Sequence, residues 1–207
     1  MTLRAKQLSS PLLGPVDLNL ADGMITVLSG RSGIGKSLLL RMLAELDPCT
    51  GEVWLDDRLR SAIPAPDWRR AVTYVAAEAG WWDECLGAHM ADRAAAGALM
   101  PELGLDPGQL DAPVSQLSTG ERQRAALIRA VIQAPRFLLL DEPTGALDPT
   151  STEQVETLLH RLAGEGMGLF VVTHDAAQAK RLAGKRYRLD ERGLHEQHGD
   201  IPEEAVS

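Results

Sequence analysis

Gly30-Arg31-Ser32-Gly33-Ile34-Gly35-Lys36-Ser37 decides how the rest of the chain is read. The octet fits G-x-x-x-x-G-K-[ST], a glycine-rich loop that cradles phosphate. Its context agrees. Residues 24–29 read MITVLS, an apolar run suited to a buried strand. Residues 37–46 read SLLLRMLAEL, rich in helix formers. Strand, loop and helix thus follow in the order such a loop needs. Glycines let consecutive N–H groups converge on one anion. The helix N-terminus adds open donors and partial positive charge. Lys36 brings a full charge to the β- and γ-phosphates, and the Ser37 hydroxyl suits Mg2+. A chance glycine turn before a helix is the bland alternative; an eight-residue stretch that meets all four specified positions in this context argues against it.

On the N-terminal side, Leu3 and Ala5 alternate with polar neighbours, as do Val16, Leu18 and Leu20. That period of two predicts short strands over the first twenty residues. Downstream, residues 52–55 (EVWL) followed by Asp56-Asp57 predict a strand and a hairpin turn. Pro64, Pro66 and Asp67 read as a loop. Residues 71–76 (AVTYVA) read as a strand. Residues 79–116 are rich in Ala, Gly and Leu. They read as part of a helical insert, helical near residues 86–100, with loops at Pro101, Pro107 and Pro113.

Residues 117–124 read LSTGERQR. Ser118 followed by Glu121 is a capping box. Leu127, Ile128 and Val131 give the next helix an apolar face, and Pro135 closes it. Residues 137–140 (FLLL) form the uninterrupted apolar run of a central parallel strand. They deliver Asp141 and Glu142 to the strand's C-terminal end, where α/β proteins bind ligands. Asp148-Pro149 starts a helix with a stripe of Val155, Leu158, Leu159 and Leu162, ended by Gly164 and Gly166. Residues 169–173 (LFVVT) form another strand with His174 after it. A last hairpin is expected around Gly193, and the polar tail from Gly199 is expected to fray.

The chain has 207 residues, 44% of them hydrophobic, enough for one sizeable core. No run of eighteen apolar residues predicts a membrane-spanning helix. The N-terminal apolar stretch is too short and broken for a signal peptide, so a cytoplasmic location is expected. The net charge of −8, with no basic stripe, argues against a nucleic-acid partner. Cys49 and Cys85 are isolated, and two reduced thiols are expected.

Residues 30–37, LSTGERQR at 117–124, LLLDEP at 138–143, Ala146-Leu147-Asp148 and His174 occur in order. Together they resemble the Walker A, signature, Walker B, D-loop and H-loop motifs of the ATP-binding-cassette ATPases. The resemblance covers almost the whole chain. It implies one cassette domain over residues 1–207. The fold expected is α/β: a P-loop NTPase core with a mixed sheet, a small N-terminal antiparallel sheet and a helical insert. The core would take about 1–78 and 136–198, the insert about 79–135.

The resemblance also implies roles. ATP would be held by Gly30, Arg31, Ser32, Gly33, Ile34, Gly35, Lys36, Ser37 and Leu38. Ser37 and Asp141 would hold Mg2+, the aspartate through water. Glu142 would be the general base, and His174 would touch the γ-phosphate; with Lys36 these make the catalytic set. Ser118, Thr119, Gly120, Glu121 and Asp148 would reach ATP bound to a second cassette, identical or different. The function implied is an ATP-hydrolysing transporter subunit, peripheral on the inner face of the cell membrane and bound to an integral membrane permease. A non-transport ATPase of the same type, or a slow regulatory nucleotide-binding subunit, are the competing readings.

The chain departs from the family pattern at several positions. Thr119 and Glu121 are mild changes to the signature. Residues 1–23 hold no Phe, Trp or Tyr to stack on adenine, so Leu12 or Leu13 is expected there. Ala77 stands where the family has a Mg2+-binding Gln, and the neighbouring Glu78 is expected to replace it in part. Trp81-Trp82 opens the insert, close to where such a subunit receives its permease. The plain alternative is one tryptophan buried and one partly exposed.

Overall fold

Alternation in the first twenty residues becomes two paired strands, β1 (Thr2–Ser10) and β2 (Leu13–Ala21). This computed structural model describes residues 1–197, so the tail from Gly199 lies outside the described residues. The apolar run before the glycine loop is β3 (Ile25–Ser29), and α1 (Lys36–Leu43) follows the loop. Next come β4 (Thr50–Leu55) and the short β5 (Arg58–Leu59), joined at the expected Asp56-Asp57 turn.

The loop expected at Pro64, Pro66 and Asp67 is instead a helix, α2 (Ala65–Ala71). Pro64 is its N-cap and Pro66 lies in its first turn, where a missing N–H costs nothing. Trp68 pins it: the ring is fully buried, and Nε1 donates to the Leu43 carbonyl at 2.9 Å.

β6 (Val72–Val75) leads into the insert. Its first regular helix is α3 (Arg93–Leu99), preceded by a 3-10 turn at Leu86–His89. Pro101 and Pro107 do not sit in open loops. Each lies at the start of a 3-10 helix, and Pro113 caps a third. The insert has no core of its own: Leu86, Met100, Leu103 and Leu110 pack in one cluster with Leu138 and Leu140.

α4 (Thr119–Val131), β7 (Phe137–Asp141), α5 (Pro149–Gly164) and β8 (Gly168–Val172) follow as their periodicities predict. A helix not anticipated from sequence, α6 (Ala176–Leu182), comes next. β9 (Lys185–Asp190) and β10 (Gly193–Glu196) make the last hairpin.

Two sheets result. One is antiparallel with order β2-β1-β4-β5; the other has order β10-β9-β3-β8-β7-β6 and is parallel except for β10. Buried strand residues alternate between two cores. Val27, Leu138 and Leu140 face α4 and α5, while Leu28, Leu139 and Phe170 face α1 and the antiparallel sheet. Register positions the site. Val172 pairs with Leu28 on one side and Asp141 on the other. The ends of β3, β8 and β7 are therefore level, and the loops that leave them share one rim.

Candidate functional site

Lys36 is the first residue of α1 and only 6% exposed. Its Nζ donates to the Gly30 carbonyl at 2.8 Å and the Arg31 carbonyl at 2.9 Å, so the ammonium lies inside the curl of its own loop. Burial draws its pKa below the ordinary lysine value, while the charges of Glu142 and Asp141 oppose the fall. Gly35 precedes the helix at φ 107°, a conformation that disfavours any Cβ. A Cβ there would also press on the Leu13 side chain. Arg31, Ser32, Gly33 and Ser37 are exposed; Ile34 and Leu38 pack against the core. First-turn N–H groups of a helix lack intrahelical partners, so the loop presents donors and a charge to an anion.

Asp141 closes β7 and is 5% exposed. Its Oδ2 accepts the Tyr74 hydroxyl at 3.0 Å. Burial, then the nearby Asp141 charge, push the phenol well above its ordinary pKa. Glu142 follows at φ 49°, left-handed for a residue with a side chain. Such a conformation costs on the order of 1–3 kcal/mol and persists where its surroundings fix it. Here the Glu142 N–H donates to the Val172 carbonyl at 3.0 Å, and its own carbonyl accepts the Gly145 N–H at 3.1 Å and Gln123 Nε2 at 2.7 Å. The other end of the Gln123 amide, Oε1, accepts the Ala146 N–H at 3.3 Å. The turn aims the carboxylate at His174: Oε1 lies 2.8 Å from Nε2, both groups partly open to solvent.

The signature residues form a second group. Ser118 Oγ accepts the Glu121 N–H at 3.2 Å, and Glu121 Oε2 accepts the Ser118 N–H at 2.7 Å. The Ser118 backbone donor holds the Glu121 carboxyl below its usual range, with help from the Ser118 hydroxyl and the Gln109 amide. Thr119 Oγ1 accepts from Arg122. Gly120 allows a close approach, since a Cβ would lie 3.1 Å from Leu147 Cδ2 and 3.3 Å from the Ala146 carbonyl. Asp148 is exposed and caps α5, accepting the Ser151 N–H and hydroxyl at 3.0 and 2.7 Å. α4 thus rests on the loop that leaves Glu142.

Asp141 makes this rim fit for a cation. One oxygen of a buried carboxylate is engaged by Tyr74, leaving the other, and the exposed Ser37 hydroxyl stands at the start of α1. Among the described residues no three His, Cys, Asp or Glu side chains form a metal cage. A hard cation would therefore take much of its coordination from phosphate oxygens and water.

Other expectations divide. Ala77 and Glu78 are exposed, and the group that reaches Asp141 is Tyr74. Leu13 is buried beneath Gly35, whereas Leu12 is 84% exposed and stands free. Trp81 packs on the core and Trp82 is 74% exposed. Both meet the His89 ring, and the Arg129 guanidinium lies 4.5 and 5.0 Å from their ring centroids while donating to the Gly80 carbonyl. Sequence reasoning missed Tyr74, Gln123 and Arg129 as site residues. Gln123 lies within the LSTGERQR stretch, but its contact with the Glu142 loop, like those of Tyr74 and Arg129, comes from strand order and helix packing.

Comparison with known proteins covers the same elements. A family model described as ABC transporter matches residues 13–145. The chain is 37% identical over 191 residues to the aliphatic sulfonates import ATP-binding protein SsuB 2 of Xanthomonas axonopodis pv. citri, covering 85% of this chain and 62% of that protein. It is 35% identical over 205 residues to the phosphonates import ATP-binding protein PhnC 2 of a Nostoc species, covering 88% and 84%. It is 35% identical over 196 residues to Protein STAR1 of Oryza sativa subsp. japonica, covering 88% of this chain and 56% of that one. The chain thus spans only about six-tenths of the length of two of these relatives. Among solved structures, an ATP binding subunit of an ABC transporter superposes with a TM-score of 0.81 at 21% identity, covering 91% of this chain and 85% of that one. A dimeric, post-hydrolysis ATP-binding cassette bound to ADP and Pi superposes with a TM-score of 0.80 at 24% identity, covering 95% and 99%.

Proposed function

Because the chain belongs to the ABC transporter family, as one of its ATP-binding subunits, we propose that it binds and hydrolyses ATP to drive a separate membrane permease. The Glu142–His174 pair, 2.8 Å apart on a strained turn beside the phosphate loop, is the observation that carries this reading. Lys36 and the loop N–H groups hold the phosphates. Glu142 takes the proton of the attacking water, and His174 keeps the carboxylate aimed at it. Mg2+ held by Asp141 and Ser37 would offset charge on the β- and γ-phosphates. Glu78, exposed beside the rim, is a further candidate ligand to the same cation.

Ser118, Thr119 and Asp148 are exposed, with Gly120 and Glu121 half-buried among them, at a helix N-terminus and its neighbouring loop, the arrangement suited to a phosphate on a second cassette. ATP between two chains is then the working state, and hydrolysis separates them. No helix among the described residues is long and apolar enough to cross a membrane; in this reading the separate permease supplies the membrane path. The relatives named above as import subunits make an importing permease the first partner to test. A slow regulatory subunit is the second reading, favoured by Ala77 at the position of the family's Gln.

Trp82 is the proposed anchor for the permease, since 74% of it is exposed while its ring meets His89 and Arg129. Membranes carrying the permease should retain the chain. Trp82→Ala should release it to the soluble fraction with ATP binding intact; full retention of the variant removes Trp82 from docking. The adenine side offers a gain of affinity. Leu12→Trp should tighten ATP binding roughly tenfold, because base–aromatic stacking contributes about 1–3 kcal/mol. Calorimetric titration measures it, and an unchanged affinity would place the base elsewhere.

A further inference from the structure

Asp141 carries a charge into a nearly closed place, where burial without donors is costly. The donor it has comes from the side. β6 is the edge strand, Tyr74 stands opposite Leu139 on β7, and its hydroxyl crosses to Asp141 Oδ2 at 3.0 Å. β6 also leads directly into Ala76, Ala77 and Glu78. The strand whose loop lacks a glutamine amide therefore carries a phenol to the same rim.

We propose that Tyr74 is a positioning residue for Asp141, fixing the rotation of the carboxylate so that Oδ1 is left open for the cation that Asp141 and Ser37 would hold. An aspartate carboxylate turns over a broad, shallow torsional range. A donor on one oxygen narrows that range and leaves the other oxygen in a set direction. It also draws charge from a carboxylate adjacent to Glu142, where two negative groups crowd one site. Such outer partners of metal-binding carboxylates typically contribute 10–100-fold in metal affinity. The inference rests on the ATP- and metal-binding reading above.

The test uses the full chain, ATP and Mn2+ as a paramagnetic probe, with bound metal counted by electron paramagnetic resonance. Tyr74→Phe should raise the half-saturating Mn2+ concentration about tenfold and leave ATP affinity in EDTA unchanged. In an Asp141→Asn background the same change should add nothing, because its effect passes through that carboxylate. An unaltered Mn2+ requirement in Tyr74→Phe overturns the proposal alone. So does an equal loss of metal-free ATP affinity, which would make Tyr74 a packing residue. Parent protein that binds no ATP with or without Mn2+ overturns the functional reading and this inference together.

Discussion

Glu142→Gln should lower ATP turnover by about 10²–10⁴-fold while ATP binding is kept. The amide has the size of the carboxylate and can still bond to His174, so the turn at φ 49° and its three backbone anchors survive. What is lost is the capacity to accept a proton. The expected companion is a nucleotide-trapped assembly: with ATP present the variant should sediment as a dimer, since the step that reopens the pair is blocked. Phosphate release at the parent rate would take Glu142 out of the chemistry. A variant that also loses ATP affinity would show that the turn itself had collapsed.

Lys36→Ala acts on the other half of the site. The ammonium is held between the Gly30 and Arg31 carbonyls at 2.8 and 2.9 Å. Removing it takes a charge from the phosphates and leaves those carbonyls without their donor. Hydrogen bonds involving charged groups contribute about 1.5–3 kcal/mol each, so ATP affinity should fall by roughly 10²-fold. Calorimetry with ATP and with adenosine separates the causes. The loss should be confined to ATP, because adenosine has no phosphate to meet the missing charge. An equal loss for both would point to a deformed loop.

Much of this site was legible because its parts are contiguous. The octet at residues 30–37, the capping box of Ser118 and Glu121, and the FLLL run before Asp141 each have a local physical meaning, and each formed as read. The prolines misled. Pro64, Pro66, Pro101 and Pro107 read as breaks, yet a proline at a helix start is compatible with the helix. α6 had its signal in Asp175, whose carboxylate caps the helix through the Ala177 and Gln178 N–H groups. Its apolar stripe is thin, with Ala179 and Leu182 buried beside a buried Gln178, and so gave no period to read. Tyr74 lay beyond reach for a different reason. Its partner is 67 residues away, and only the adjacency of β6 and β7 brings them together.

Gln123 gives the loop after Glu142 a polarity. Its Nε2 donates to the Glu142 carbonyl while its Oε1 accepts the Ala146 N–H. Turned end for end, the amide would set oxygen against oxygen and N–H against N–H. The side chain therefore has one orientation, and the loop between its two contacts has one shape to match. A glutamate in its place would put an anion against the Glu142 carbonyl, whatever its similarity in size. Replacing the amide by a carboxylate on α4 would therefore take away one of the three bonds that hold the turn aiming Glu142.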